Sequence, residues 1–136
     1  MIMHRPDLAL FIVRLVLGST FIAHGAQKLF GWFGGEGMHG FLGYLASIGI
    51  TNHILGYLAA ACEFVGGLMV LTGFATELGA CAILANMLVA IFLVHAKHGY
   101  FLPNGMEYSL NLALLCVALI FGGSGAYAVW DVRNLF

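Results

Sequence analysis

Charged side chains are scarce in this sequence, and their scarcity excludes a water-soluble globular domain. Of 136 residues, five are Lys or Arg and six are Asp or Glu, so 8% are charged, against about 25% in an ordinary soluble domain. Apolar residues make up 62% of the chain, and the few polar groups cannot cover a surface in water. The chain is therefore expected to lie in a lipid bilayer.

Runs of basic residues are missing as well, which excludes nucleic acid as a partner. The formal net charge is −1, and the Lys and Arg residues occur singly, so no basic stripe can neutralise phosphates. Proline occurs only twice, whereas glycine occurs 19 times. This balance excludes a disordered linker and is typical of closely packed helices.

Cysteine pairs and nucleotide-binding loops are also absent from the sequence. Cys62, Cys81 and Cys116 lie far apart without a CxxC motif, which excludes a thiol–disulfide relay. Without a GxGxxG, Walker or nucleophile-elbow motif, nicotinamide, flavin or nucleotide chemistry has to come from a partner. His24 and His95 lack an attachment motif and a second pair, so we expect neither haem nor a metal site, and no covalently bound cofactor.

Four apolar segments have the composition of membrane spans, each needing about 20 residues to cross a core about 30 Å thick. We predict spans over about 8–30, 54–73, 78–95 and 105–123 in a single domain of residues 1–136. The predicted fold is an all-α membrane protein, an antiparallel four-transmembrane-helix bundle. The fourth span depends on Asn104 as an N-cap with Glu107 as its capping partner.

The flanking segments predict how the chain meets the membrane surface. Aromatic residues among glycines between the first two spans predict a short interfacial helix over Met38–Ile48. Arg14 interrupts the first apolar segment, so we expect that segment to be kept and not cleaved as a signal peptide. The balance of Lys and Arg between the two sides favours cytoplasmic termini in a bacterial inner membrane.

Two charged residues fall deep inside predicted spans, where each costs at least about 2.5–3.5 kcal/mol. At a rise of about 1.5 Å per residue, Arg14 and Glu63 differ in depth by only about 6–8 Å. We therefore predict a buried ion pair between Arg14 and Glu63. The pair either fixes helix register or orients a carboxylate that handles a proton, with Glu63, Arg14 and His24 as catalytic candidates.

Polar residues of similar predicted depth indicate a pocket near one membrane face. His24 lies about 24 Å along the first span and His95 about 25 Å along the third, which runs in the same direction. The predicted pocket comprises His24, Gln27, Lys28, His95, Glu107 and Tyr108. These residue types can hydrogen-bond the carbonyls and hydroxyls of a quinone head group. Taken singly, Lys28 also suits a position among lipid headgroups, and Glu107 suits a helix cap.

Several motifs resemble those of the DoxX family of small bacterial membrane proteins. HGAQKLFG at 24–31 is similar to the family signature, Glu63 with its following glycines to the second span, and 87–95 to a later segment. Gly-Ser-Gly at 123–125 departs from the usual Gly-Pro-Gly. The resemblance implies a four-span inner-membrane protein described as an oxidoreductase, or as a quinol-oxidase or thiosulfate:quinone oxidoreductase subunit. The residues that match its motifs are His24, Gln27, Lys28, Glu63 and Glu107.

Two functions from different classes remain open. The first is a quinone-associated membrane oxidoreductase subunit, with a quinone in the predicted pocket. The alternative is a non-enzymatic accessory or scaffold subunit of a larger membrane redox complex, whose polar interior only specifies packing. Either function is compatible with a homo-oligomer or a larger complex. A solute transporter is disfavoured, because the sequence has no inverted repeat or broken helix.

Overall fold

The computed structural model describes residues 5–136, and within these residues it has five α-helices and no β-strand. The helices are α1 Pro6–Phe30, α2 Gly37–Ser47, α3 His53–Thr72, α4 Thr76–Ala90 and α5 Glu107–Gly122. A π-helical turn, Ile91–His95, and a 3₁₀ turn, Ala96–His98, extend α4. A second 3₁₀ turn, Val132–Leu135, lies in the C-terminal tail.

Three helical stretches are long and apolar enough to cross a membrane, namely Pro6–Phe30, His53–Thr72 and Thr76–His98. Helix α5 is also apolar, but its 16 residues span only about 24 Å. Large apolar side chains such as Val16, Leu58 and Phe121 are more than half exposed, as expected where lipid is the solvent. The structure confirms an all-α protein with three candidate membrane spans.

Glycine ends both α1 and α3. Gly31 and Gly73 adopt left-handed conformations with φ of 72° and 75°, and their N–H groups donate to Ala26 and Met69 carbonyls within the last helical turn. Glycine takes this conformation without the steric cost that a Cβ brings. The observed ends lie within one residue of the ends that the sequence predicts.

The start of α5 differs from the prediction. The helix begins at Glu107 after Met106, which has no side-chain cap. Glu107 Oε2 instead accepts a hydrogen bond from the Leu102 N–H at 3.3 Å, and the Asn104 carbonyl lies 3.3 Å from His95 Nδ1. The predicted capping pair of Asn104 and Glu107 is wrong, because both residues hold the preceding loop. Helix α2 lies one residue before the predicted Met38–Ile48 helix.

Glycines bring α1 and α3 into backbone contact. A Cβ at Gly18 would lie 2.7 Å from the Leu71 backbone nitrogen, and one at Gly25 would lie 2.6 Å from that of Phe64. As the position moves forward along α1, its neighbour moves backward along α3, so the two helices run antiparallel. Small residues allow this approach, which lipid alone does not drive.

The remaining helices enclose an apolar core. Helix α4 packs against α3 and α5, and α5 returns to α1. Gly66 and Gly79 form the α3–α4 crossing, where a Cβ on Gly66 would lie 3.0 Å from the Gly79 carbonyl oxygen. Leu17, Ile83 and Leu119 are fully buried where these helices meet. Dispersion contacts between such side chains hold the helices together.

Replacing Gly25 with alanine is expected to destabilise the protein by about 1–3 kcal/mol, because the new methyl group overlaps the α3 backbone at Phe64. Gly43→Ala on α2 is the matched control, since a Cβ there meets open space. The control variant should gain about 0.5–1 kcal/mol from higher helix propensity. Thermal unfolding in detergent compares the two. Equal melting temperatures of the two variants would show that the α1–α3 contact accommodates a methyl group at position 25 without cost.

Candidate functional site

Arg14 and Glu63 are both buried, but the predicted ion pair between them is wrong. The Arg14 side chain, only 1% exposed, donates to four backbone carbonyls. Its acceptors are Val70 (2.9 Å, from Nε), Leu71 (3.0 Å, from Nη2), Ser124 (2.9 Å, from Nη1) and Tyr127 (2.5 Å, from Nη1).

These contacts explain how Arg14 is buried without a carboxylate. Val70 and Leu71 belong to the last turn of α3, whose carbonyls lack intrahelical partners and carry the negative end of the helix dipole. The other two acceptors belong to the tail that follows α5. The planar guanidinium has enough N–H donors to bind the end of α3 and the tail at the same time. Arg14 therefore joins three separate parts of the chain.

The tail itself is closed by an ion pair outside the helices. Arg133 Nη2 lies 2.6 Å from Asp131 Oδ2, and the Ser124 hydroxyl donates to the same oxygen at 3.2 Å. Hydrogen bonds from Arg133 lower the pKa of Asp131 to about 2, so the carboxylate stays charged at neutral pH. This network keeps the tail folded back over the end of α3, where Trp130 pairs with Phe74.

Glu63 pairs with Lys28. The Lys28 Nζ lies 2.5 Å from Glu63 Oε1, and it also lies 4.9 Å from the centre of the Phe41 ring on α2. The Glu63 side chain is 5% exposed and that of Lys28 is 27% exposed. The pair therefore connects a buried carboxylate with a partly accessible ammonium, at the end of α1 opposite Arg14.

The second oxygen of Glu63 is free. Oε2 is buried, and it has no hydrogen-bond partner among residues 5–136. An ionised carboxylate only accepts hydrogen bonds, and leaving an acceptor unsatisfied in a buried position costs about 1–3 kcal/mol. A ligand that donates a hydrogen bond to Oε2 would recover that cost.

A cavity of about 340 Å³ lies beside this carboxylate. Four residues of the predicted pocket line it together with Glu63, namely His24, Lys28, His95 and Tyr108. The His24 and Tyr108 rings have centroids 6.3 Å apart. Most other walls are apolar, from residues that include Phe21, Leu45, Met87 and Leu112.

Gln27 and Glu107 do not line this cavity. Gln27 lines a second cavity and donates from Nε2 to the Phe33 carbonyl at 3.2 Å, while Glu107 holds the loop before α5. Asn86 and Ser109 also line the first cavity, although neither is among the predicted pocket residues. Asn86 Nδ2 donates to the Ala59 carbonyl at 2.6 Å, which joins α4 to α3.

The second cavity, of about 320 Å³, lies on the other side of Lys28. Gln27 and Glu36 line it together with the glycines of the α1–α2 connection. Lys28, Phe41 and Tyr44 line both cavities. The two spaces therefore share one wall, and the Lys28 ammonium is part of it.

Comparison with known proteins agrees with this helical membrane architecture. The family model DoxX matches residues 9–96. The chain is 27% identical to "Putative oxidoreductase CatD" of Bacillus subtilis, over 83% of this chain and 79% of that protein. It is 30% identical to a protein of Haemophilus influenzae named only as uncharacterized, over 93% and 90% of the two chains. It is also 27% identical to "Inner membrane protein YqjF" of Escherichia coli, over 94% of each.

No solved structure shows a significant match. The family model, however, covers more than half of the sequence, including the Lys28–Glu63 pair and most of the residues around the first cavity. The chain is a membrane protein that belongs to the DoxX family.

Proposed function

We propose that the first cavity binds a quinone head group, and that the protein is a quinone-associated oxidoreductase subunit of a bacterial inner membrane. The observation that carries this proposal is the buried Glu63 carboxylate, whose Oε2 lacks a partner within the described chain, on a residue that lines an apolar cavity. A quinone carries the matching groups. Its carbonyl oxygens accept hydrogen bonds, and the hydroxyls of its reduced form donate them.

The residues around the cavity supply both kinds of partner. Lys28 is a permanent donor beside the carboxylate, and Tyr108 offers a hydroxyl. His24 and His95 each donate or accept according to tautomer. In this proposal one hydroxyl of a hydroquinone donates to Glu63 Oε2 and passes its proton there, while a partner redox protein accepts both electrons and the proton of the second hydroxyl. The sequence offers no nucleotide or flavin motif of its own to accept them.

The shape of the cavity suits an amphiphile that enters from lipid. Its volume of about 340 Å³ lies in the usual range for small-ligand sites. Val89 and Leu93 on the α4 side line it and are also about half exposed, so the wall reaches the surface that faces lipid. An apolar quinone tail can leave along this side while the ring stays near Glu63.

The membrane arrangement in this proposal includes α5 as a fourth span. The Gly122 position contacts Leu10, and Tyr108 lies beside His24, so α5 runs antiparallel to α1 over the depth of residues 10–24. With a few flanking residues it then crosses the bilayer core. We place the termini in the cytoplasm, and the names of the Bacillus and Escherichia relatives support a redox role and an inner-membrane location.

The test measures binding of a short-chain quinol, decylubiquinol, to the protein in lipid nanodiscs. Glu63→Gln should weaken quinol binding about fivefold, because a hydrogen bond to a charged acceptor contributes about 1 kcal/mol more than one to the neutral amide oxygen that replaces it. Binding of the oxidised quinone should change less, since its carbonyls do not donate to the carboxylate.

Glu77→Gln is the matched control. Glu77 also has a buried carboxylate oxygen with no partner in residues 5–136, but it lies at the start of α4, away from the cavity. This variant should bind quinol like the wild type. The proposal fails if the wild type shows no saturable binding, or if both substitutions weaken binding equally.

A further inference from the structure

The wall between the two cavities has one charged member, Lys28. Lys28 Nζ contacts the buried Glu63 on the side of the first cavity, and its side chain also lines the second. A lysine ammonium sits on a flexible four-carbon stem, in contrast to the aromatic rings of Phe41 and Tyr44 that complete the wall. A different Lys28 rotamer would connect the two spaces.

The second cavity borders the exposed surface of the chain. Its lining includes the exposed residues Glu36 and Gly34, and the Gln27 amide adds a further polar group. The first cavity, by contrast, has mainly apolar walls and an opening towards lipid-facing side chains. A proton that travels between Glu63 and the aqueous phase needs polar groups or water along its path, and the second cavity offers them within one side chain of the carboxylate.

We infer that the second cavity is the proton path of Glu63, with Lys28 as its gate. When Glu63 is ionised, the ion pair keeps Lys28 across the opening. When a donor in the first cavity, such as bound quinol, passes a proton to Glu63, the O–H bond of the donor breaks and an O–H bond forms at Glu63. The neutral acid no longer attracts the ammonium, and Lys28 turns towards Glu36. A water molecule in the second cavity then accepts the proton from Glu63 and becomes hydronium, and the ion pair that forms again closes the opening.

This inference rests on the proposed function in taking Glu63 as the proton acceptor of bound quinol, but its test uses no quinone, so the two can fail separately. The wild-type protein in nanodiscs is treated with a water-soluble carbodiimide, which activates carboxyl groups that it can reach. Peptide mass spectrometry then counts modified Glu63, both as the N-acylurea and as the amide formed with Lys28. We expect steady modification at Glu63 despite its burial.

Two tryptophan variants identify the route. Gln27→Trp fills the second cavity only, and Ile48→Trp fills the first only. The first variant should slow modification of Glu63 at least fivefold, while the second should change it less than twofold. Lys28→Met removes the gate and should raise the total yield of modified Glu63, N-acylurea and amide together, at least threefold over the wild type.

Circular dichroism and gel filtration confirm that each variant is folded before labelling. The inference is overturned if Ile48→Trp slows the reaction and Gln27→Trp does not. It is also overturned if wild-type Glu63 stays unmodified while the exposed Glu36 reacts. Failure of quinol binding with the predicted labelling pattern would remove the quinone and leave the proton path.

Discussion

Arg14→Met is expected to destabilise the protein by about 4 kcal/mol or more, which is the largest effect of any single substitution considered. The side chain donates four hydrogen bonds to carbonyls of α3 and the tail. Methionine fills part of the volume but donates nothing, so four acceptors in a largely buried region lose their partner. Each such loss costs about 1–3 kcal/mol, although the losses do not add fully.

The measurement is thermal unfolding in detergent, together with the yield of monodisperse protein. Arg14→Lys should lie between the wild type and Arg14→Met, because an ammonium keeps the charge but lacks the planar fork that reaches several carbonyls at once. Arg5→Met, at an exposed position just before α1, is the control and should stay within about 0.5 kcal/mol of the wild type. A monodisperse Arg14→Met protein with an unchanged melting temperature would show that the four bonds contribute nothing.

The sequence predicted the long helices well, because lipid requires long apolar segments and glycine marks where they end. The predicted second span, 54–73, corresponds to α3, which ends at Thr72 before Gly73. The predicted N-cap of α5 was wrong, because Asn104 and Glu107 contact the preceding loop instead of capping the helix. The local sequence cannot distinguish loop contacts from cap contacts for such residues.

Burial of Arg14 and Glu63 followed from the apolar segments around them, but their partners did not. Helix rise gives depth along one helix, whereas the partner depends on how two helices are offset. Gly18 lies opposite Leu71, so Arg14 lies at the very end of α3, while Gly25 opposite Phe64 brings Lys28 near Glu63. Backbone carbonyls at a helix end and in the tail satisfy a buried guanidinium as well as a carboxylate does, so an opposite charge is not needed.

The lining of the first cavity was also only partly predictable from the sequence. His24, Lys28, His95 and Tyr108 line one space, as the similar depths predicted from helix rise indicate. Gln27 shares that depth too, but one residue along a helix rotates a side chain by about 100°, which turns it into the second cavity. The position of a residue along its helix was predictable from counting residues. The direction of its side chain depended on how α2 packs against α1, which the sequence does not show.

Lys28→Met should destabilise the protein by about 3 kcal/mol, because it leaves the Glu63 carboxylate buried without its counter-ion. This loss of stability is at the lower end of the range for a broken buried pair, since Lys28 is partly exposed and water screens part of the interaction. Adding Glu63→Met should restore stability to within about 1 kcal/mol of the wild type, because the double variant buries no unpaired charge at this site. Thermal unfolding of the three proteins in the same detergent gives the comparison.

The double variant also separates the two functions that the sequence left open. If the pair only specifies packing in an accessory subunit, Lys28→Met with Glu63→Met should restore abundance, assembly with partner proteins and activity in cells together. If Glu63 accepts a proton from bound quinol, the double variant should recover stability and abundance but still bind decylubiquinol at least tenfold more weakly than the wild type. A double variant that regains both its stability and wild-type quinol binding contradicts the quinone site, because methionine offers no acceptor for the quinol hydroxyl. A double variant that regains neither stability nor quinol binding contradicts the packing argument, because it has no unpaired charge at this site to explain its low stability.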